Sequence, residues 1–166
     1  GIAFEGRVIT MKLRDDIAWS DGQPITAQDF VFTYQMIVNP NNAVAVVTPY
    51  DQVESVTASD ERTVVITFRQ PFAAWLSTLW QSLLPAHVLQ PVFQAQGTLQ
   101  NAEWNLAPSV GCGPFVFQSW ERGQSARFTA NPSYLLGRPK LDEIRVSFVA
   151  DDPGKVAALK GGAADL

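Results

Sequence analysis

Residues 13–31 have the sequence LRDDIAWSDGQPITAQDFV, and this stretch decides the fold that we predict. Asp21-Gly22 is a dipeptide typical of tight turns. Thr26 is a good helix N-cap, and Asp29 follows it at the three-residue spacing of a capping box. Residues 13–31 therefore predict a turn that leads directly into a capped helix.

Outward from this stretch, the hydrophobic pattern predicts strands, hairpins and short helices. We therefore expect an α/β protein with a mixed sheet, hairpins and flanking helices. The pattern divides the chain into an α/β unit up to about Pro85 and a strand-rich remainder. The predicted strands are 8–13, 52–57, 63–69, 115–120, 125–130 and 143–149, and the predicted helices are one from Thr26 to Asn39, 72–80, 86–96 with an interruption at Pro91, and 153–160.

Composition and charge limit the possible classes of function. The chain has 166 residues, of which 46% are hydrophobic and 17% are charged, as in a folded globular domain. Its longest apolar runs are far shorter than the ~20 residues of a membrane-spanning helix. Lys and Arg are dispersed and the net charge is −4, which argues against a nucleic-acid partner. No secretion signal is visible, and because neither end resembles a natural terminus, we expect a piece of a longer protein.

An enzyme is the alternative from a different class. Cys112 is the only cysteine and His87 the only histidine, so a hydrolase would have to use one of them. The chain has no G-x-S-x-G, G-x-G-x-x-G, P-loop or H-E-x-x-H motif, and a lone cysteine excludes a C-x-x-C site. We therefore expect no enzyme activity, no metal and no cofactor. We interpret Cys112 as a small buried thiol and His87 as a structural or surface residue.

The five tryptophans supply the candidates for ligand contact. We expect Trp19, beside a turn, Trp75, on an apolar helix, and Trp120, at a strand end, to lie in the core. Two others are in irregular stretches, where binding residues concentrate. The candidate ligand-contact residues are Trp80 and its neighbour Gln81, Trp104, and Cys112 in its Gly-flanked loop.

The stretch 13–31 and a series of later phrases together resemble the family 5 extracellular solute-binding proteins of ABC importers. The resemblance covers essentially the whole chain. Cys112 replaces the usual Thr of this family, and Leu135 stands where Trp is common. The later phrases are Gly111-x-Gly113-Pro114-Phe115, Trp120-Glu121-x-Gly123, Asn131-Pro132-x-Tyr134, Gly137-x-Pro139-Lys140-Leu141-Asp142-Glu143-Ile144 and Ala158-Leu159-Lys160-Gly161-Gly162-x-x-Asp165.

The resemblance implies a periplasmic-binding-protein-like fold of type II, in which two lobes enclose the ligand. Residues 1–86 would match the extra subdomain of the first lobe. Residues 87–166 would match the later part of that lobe's main sheet and end near the crossover to the second lobe. The chain would then hold one wall of the cleft.

The resemblance also implies a function. It predicts an extracytoplasmic receptor, in the periplasm or at the outer face of the membrane and lipid-anchored or secreted, which delivers a solute such as a peptide to ABC permease subunits. A stand-alone sensory or interaction domain on the same fold is a further alternative. We also expect the fragment to self-associate, because strand edges and apolar surface would lose their covering. Four residues are expected near that contact: Val116, Phe128, Ile144 and Phe148.

Overall fold

The computed structural model of the chain describes residues 2–45 and 47–165. Groups of two or three strands are separated by helices along the chain, and short 3-10 turns lie at Tyr50–Gln52 and Glu103–Asn105. The strands are β1 Ile2–Glu5, β2 Val8–Lys12, β3 Val53–Asp60, β4 Thr63–Phe68, β5 Phe115–Glu121, β6 Ser125–Ala130 and β7 Glu143–Ser147, and the helices are α1 Ala27–Val38, α2 Trp75–Thr78, α3 Ala86–Gln96 and α4 Asp152–Lys160.

The first four strands form one sheet in the order β1-β2-β4-β3. Both β2 and β3 pair antiparallel with β4, so β2 and β3 run in the same direction and α1 lies in the connection between them. Strand β1 was not predicted, because four residues carry too little of a two-residue period. It pairs with β2 through a tight turn at Gly6, whose φ of +63° favours glycine.

The core of this sheet follows the alternation of β4. Val64, Ile66 and Phe68 are completely buried, while the residues between them are only partly buried. Helix α1 packs over the sheet with Ala27 and Val31. Period-2 burial against an amphipathic helix is the expected result of the sequence pattern, and it confirms the predicted strand, hairpin and helix.

Helix α1 buries a second face against α3. Phe32 and Met36 pack there with Leu89 of α3 and with Leu99 and Ala102 beyond it. Residues after 86 therefore share a core with α1. The assignment of residues 1–86 and 87–166 to different parts of a lobe stays a prediction.

The last three strands form a second sheet in the order β5-β6-β7. Cross-strand neighbours lie on the same face of a sheet, so Phe117, Phe128 and Ile144 share one face. Trp120 also lies on this face, opposite Ala126, and is 44% exposed. The prediction that Trp120 is a core residue is therefore wrong, because this end of the sheet is open to solvent: Val146, on the same face, is also exposed.

Several predicted elements differ in detail. Every strand pair that the structure describes is antiparallel, a difference from the mixed sheet we expected, because most paired strands are joined by tight turns. Helix α2 is shorter than the predicted 72–80, because Leu79 is extended and Trp80 has a positive φ. Helix α3 continues through Pro91 without the predicted interruption. None of the helices in the described parts of the chain has the length and apolar character to cross a bilayer.

Replacing Thr26 with Ala should destabilise the chain by about 1 kcal/mol, the ordinary cost of losing an N-cap side chain. Thr26 is the N-cap of α1 and forms a capping box with Asp29. Chemical denaturation of the two proteins measures the difference. If Thr26→Ala cost as much as removal of the Asp29 carboxylate, the hydroxyl would have a larger role than capping.

Candidate functional site

Trp80 has the most unusual backbone conformation in the described chain. Its φ is +59°, the only positive φ of a non-glycine residue there, and such a conformation is strained for a bulky side chain. Its backbone N–H donates to the Tyr50 hydroxyl at 2.8 Å. Its ring makes edge-to-face contacts with Phe30 and Tyr50, at centroid distances of 5.1 and 5.5 Å. Trp80 is thus fixed at the border of the first core, the cluster that α1 forms with the β1-β2-β4-β3 sheet.

The segment that follows Trp80 is tied down again at its other end. The Leu84 N–H donates to Thr33 Oγ1 at 2.9 Å, and the Ala86 N–H donates to Asp29 Oδ1 at 2.9 Å. Gln81 lies between these anchors, is exposed, and donates from its amide to the Ser77 carbonyl at 3.1 Å. The structure therefore exposes Gln81 and Ser82 to solvent, on a segment that is held at both ends.

Asp29 is the central anchor of this region. It is 3% exposed, and one carboxylate oxygen accepts from the Thr26 N–H at 2.8 Å while the other accepts from the Ala86 N–H. Carboxylates placed at helix N-termini satisfy backbone donors and complement the helix dipole. Asp29 thus caps α1 and α3 together and fixes their relative position.

The turn at residues 19–22 joins three separate segments. Trp19 is 1% exposed, as predicted for a core residue. Ser20 exchanges two hydrogen bonds with Gly111, N–H to carbonyl at 2.9 Å and Gly111 N–H to Ser20 Oγ at 3.1 Å. Asp21 Oδ2 lies 2.7 Å from His87 Nε2. The turn predicted from sequence is therefore the point where α1, α3 and the 111–114 loop meet.

The Asp21 carboxyl group is partly withdrawn from water, which by itself would raise its pKa. Hydrogen bonds from His87 and from the Gln23 N–H outweigh this effect, and the pKa of Asp21 lies below its ordinary value. The ionised carboxylate is therefore the stable form at neutral pH, and it fixes the His87 ring in a structural contact.

Cys112 is exposed, so the interpretation of a buried thiol is wrong. Cys112 lies in a loop between two glycines and belongs to neither hydrophobic cluster, which explains the exposure. Partial desolvation of the sulfur, and to a lesser degree the charge of Asp29, still raise the pKa of the thiol. A raised pKa leaves little thiolate at neutral pH, which is unfavourable for a nucleophile.

Trp104 lies in the second core, the cluster between α1 and α3 that contains Phe32 and Leu89, and is apart from Trp80. It is partly buried against Leu89 and its neighbours and lines an apolar depression of about 140 Å³ together with Met36 and Leu99. A second depression of about 280 Å³ lies between the turn after Asp21 and the start of α3, lined by Thr26, His87 and polar neighbours. Both are smaller than the ~300–1,000 Å³ of typical ligand pockets.

The structure brings only two of the four predicted contact residues together. Trp80 and Gln81 are on one anchored segment, whereas Trp104 belongs to the second core and Cys112 to the 111–114 loop. Within residues 2–45 and 47–165, no hydrogen bond or ring contact joins these three places. The arrangement offers an aromatic surface and exposed amides, which suit noncovalent contact with a solute.

The described residues offer little for catalysis or metal binding. No group of three or more His, Cys, Asp or Glu in them could hold a metal ion. His87 contacts Asp21, and no hydrogen bond to Cys112 or to a hydroxyl is described for it. A hydrolase would need a base in contact with its nucleophile.

Sequence reasoning missed Tyr50, the second partner of Asp29 and the contact between Ser20 and Gly111. The capping-box spacing identifies Asp29 locally, but no sequence signal connects it to Ala86. Tyr50 follows a proline at the start of a short 3-10 turn, and nothing in that stretch of sequence indicates that its hydroxyl accepts a hydrogen bond from a residue 30 positions later.

Comparisons with known proteins agree with this architecture. The family described as bacterial extracellular solute-binding proteins, family 5, matches residues 3–166. A protein of Brucella ovis, named among ABC transporter peptide-binding proteins, is 35% identical over 145 residues, which are 87% of this chain and 27% of that protein. The oligopeptide-binding protein AppA of Bacillus subtilis is 29% identical over 98% of this chain and 29% of its own length.

Solved structures give the same result. AppA of Bacillus subtilis in complex with a nonapeptide superposes with a TM-score of 0.88 at 27% identity, over 98% of this chain and 33% of AppA. NikZ of Campylobacter jejuni in complex with Ni(L-His) gives a TM-score of 0.87 at 29% identity, over 98% of this chain and 32% of NikZ. These matching proteins are binding proteins rather than enzymes, and the chain spans less than a third of the length of the curated relatives quoted above.

Proposed function

This chain belongs to the bacterial extracellular solute-binding proteins of family 5, and we propose that it is part of an extracytoplasmic receptor that delivers a solute to an ABC importer. The continuous match over residues 3–166 is the observation that carries the proposal. The parent receptor acts in the periplasm or at the outer face of the cell membrane, either lipid-anchored or secreted, and its partners are the ABC permease subunits.

A peptide is the solute that we propose. Support comes from the names of relatives such as the oligopeptide-binding protein AppA. Aromatic rings such as Trp80 can contact side chains of varied chemistry, and exposed amides such as that of Gln81 can hydrogen-bond to a peptide backbone. NikZ binds a nickel–histidine complex, which makes metal complexes the competing class.

Calorimetry on the full-length receptor tests the ligand class. Peptides of two to nine residues are titrated beside Ni(L-His) and an oligosaccharide mixture. We expect saturable binding of a peptide only. If Ni(L-His) or a sugar binds and no peptide does, the proposal of a peptide ligand is rejected, whereas the proposal of a solute receptor stands. A mutant strain that lacks the receptor gene is also tested for uptake. If it still takes up every solute at the normal rate, a sensory domain on the same fold would be favoured.

We propose Trp80, Gln81, Trp104 and Cys112 as ligand-contact residues. Trp80 and Gln81 have the strongest support, since they share one anchored and partly exposed segment. Alanine variants of all four residues are compared in the full-length receptor, with exposed Leu76→Ala on α2 as the control. We expect affinity losses of about tenfold or more for Trp80→Ala, the size of a good aromatic contact. An unchanged affinity removes that residue from the site.

The isolated chain should bind no small solute tightly. Good sites bury roughly 70–90% of a ligand's surface, whereas the depressions in this chain are shallow and hold about 280 and 140 Å³. Titration of the 166-residue chain with the peptides that bind the full-length receptor measures this. A sub-micromolar dissociation constant for the isolated chain would contradict the prediction.

The isolated chain should also self-associate through its second sheet. Phe128 and Ile144 share the apolar face, Phe148 follows at the same alternation and is 47% exposed, and Val116 lies on the opposite face. An uncovered apolar face of this kind favours association. Sedimentation equilibrium should show dimers that Phe148→Ser dissociates. Leu76→Ser, which removes an even more exposed apolar residue from α2, should leave them intact. A strictly monomeric chain, or equal effects of the two variants, would contradict the proposal.

A further inference from the structure

The backbone of Trp80 is held in a conformation that its side chain disfavours. At a φ of +59° the Cβ atom of an L-residue crowds its own backbone, and bulky residues rarely adopt this region. Such conformations persist only where neighbouring groups hold them, and they concentrate at binding and switching segments. The question is which group holds Trp80.

The Tyr50 hydroxyl is the polar group in contact with Trp80. It accepts the Trp80 backbone N–H at 2.8 Å, and the two rings meet edge-to-face at an interplanar angle of 79°. The indole Nε1 of Trp80 is buried and has no hydrogen-bond partner in the described residues, so the ring itself provides no polar anchor. Tyr50 is 8% exposed, and burial raises the pKa of its hydroxyl, which therefore stays neutral.

We infer that the Tyr50 hydroxyl is a positioning group, which holds Trp80 in its left-handed conformation and thereby sets the direction in which Gln81 and Ser82 face the solute. The inference rests on the proposed function, because the direction of this segment affects ligand binding only if Trp80 and Gln81 contact the ligand. The far end of the segment is independently fixed at Leu84 by Thr33. Release of the Tyr50 end alone would change the direction of the chain at Gln81 while the start of α3 stays in place.

The chain offers a matched control for this hydroxyl. Tyr34 packs against the same core, and its hydroxyl donates to the Val53 carbonyl at 3.3 Å, away from Trp80. Tyr50→Phe and Tyr34→Phe each remove one oxygen and one hydrogen bond and keep the ring. Only the first removes the acceptor of the Trp80 N–H.

Both variants are made in the full-length receptor, and two quantities are measured. The first, without ligand, is hydrogen exchange of the Trp80 backbone amide by NMR. We expect exchange about five- to tenfold faster in Tyr50→Phe, the range that one lost hydrogen bond produces, and no change in Tyr34→Phe. The second is affinity for the peptide that the receptor binds, which should weaken about fivefold or more in Tyr50→Phe only.

The outcomes separate this inference from the proposed function. Unchanged exchange at Trp80 in Tyr50→Phe, or equal effects of the two variants, would overturn the inference. It would also be overturned if Trp80→Ala weakened peptide binding and Tyr50→Phe did not. If neither Trp80→Ala nor Tyr50→Phe changed affinity, the assignment of Trp80 as a contact would fail, and the part of the inference that concerns the ligand would fail with it.

Discussion

Replacing Asp29 with Ala should destabilise the chain by about 3–5 kcal/mol, because hydrogen bonds to charged groups contribute roughly 1.5–3 kcal/mol each and this carboxylate accepts two from backbone N–H groups. The Ala86 N–H would lose its acceptor in a buried environment and the Thr26 N–H in a partly buried one. The loss would also separate α3 from α1, which share the second core. Urea denaturation of wild type and variant, with comparison of the slopes as well as the midpoints, measures the change.

Two further variants test the cause of the Asp29 effect. Asp29→Asn keeps one carbonyl acceptor and replaces the other oxygen with a donor, so its cost should lie between wild type and Asp29→Ala. Asp15 is exposed in the preceding loop, and Asp15→Ala should stay within about 0.5 kcal/mol of wild type, as surface substitutions usually do. Equal stabilities of Asp29→Ala and Asp15→Ala would show that the two backbone donors find other partners.

Trp19→Ala should cost about 3–5 kcal/mol, the range for removing a large aromatic side chain from a packed core. Trp19 is 1% exposed and lies beside the His87 ring, with centroids 6.1 Å apart. Its indole N–H has no hydrogen-bond partner in the described residues, so neither Trp19→Ala nor Trp19→Phe loses a hydrogen bond. Trp19→Phe should cost less, because it keeps an aromatic ring and leaves a smaller cavity. Chemical denaturation gives both values.

Trp120→Ala is the matched comparison for Trp19→Ala. Trp120 is 44% exposed, and its main specific contact is the Arg122 guanidinium, 5.6 Å from the ring centroid. Exposed cation–π contacts contribute about 0.5–1 kcal/mol, so we expect a loss of about 1 kcal/mol or less. A cost for Trp120→Ala equal to that for Trp19→Ala would mean that the second sheet buries this ring in solution.

These two tryptophans illustrate how far sequence reasoning reaches for the core. Both lie beside turns, and both were predicted to be buried. Trp19 is covered by distant parts of the chain: the His87 ring lies beside it, and the 111–114 loop is hydrogen-bonded to the next residue, Ser20. Trp120 lies at the solvent-exposed end of a three-stranded sheet, where Val146 on the same face is also exposed. Burial depends on what packs from elsewhere in the chain, which a local pattern does not contain.

In the candidate site, too, the sequence identified some features and the tertiary structure decided others. The sequence singled out Trp80 and Gln81, because an irregular stretch with an aromatic residue is typical of a contact surface. It also placed Trp104 and Cys112 in the candidate set, and the structure puts them in two other places. The left-handed backbone of Trp80 and its hydrogen bond to Tyr50 had no counterpart in the sequence analysis.

The sequence by itself determined the elements whose causes are local. The Asp21-Gly22 turn, the capping box of Thr26 and Asp29, the period-2 alternation of β4 and the ordered phrases that identify the family all act over a few residues. Tertiary structure alone decided which donors meet which acceptors across 30, 57 and 91 residues, at Tyr50 and Trp80, Asp29 and Ala86, and Ser20 and Gly111. Turns, caps and alternation arise from neighbouring residues in the chain, whereas these contacts exist only once the helices and sheets have packed and brought distant segments within hydrogen-bond distance.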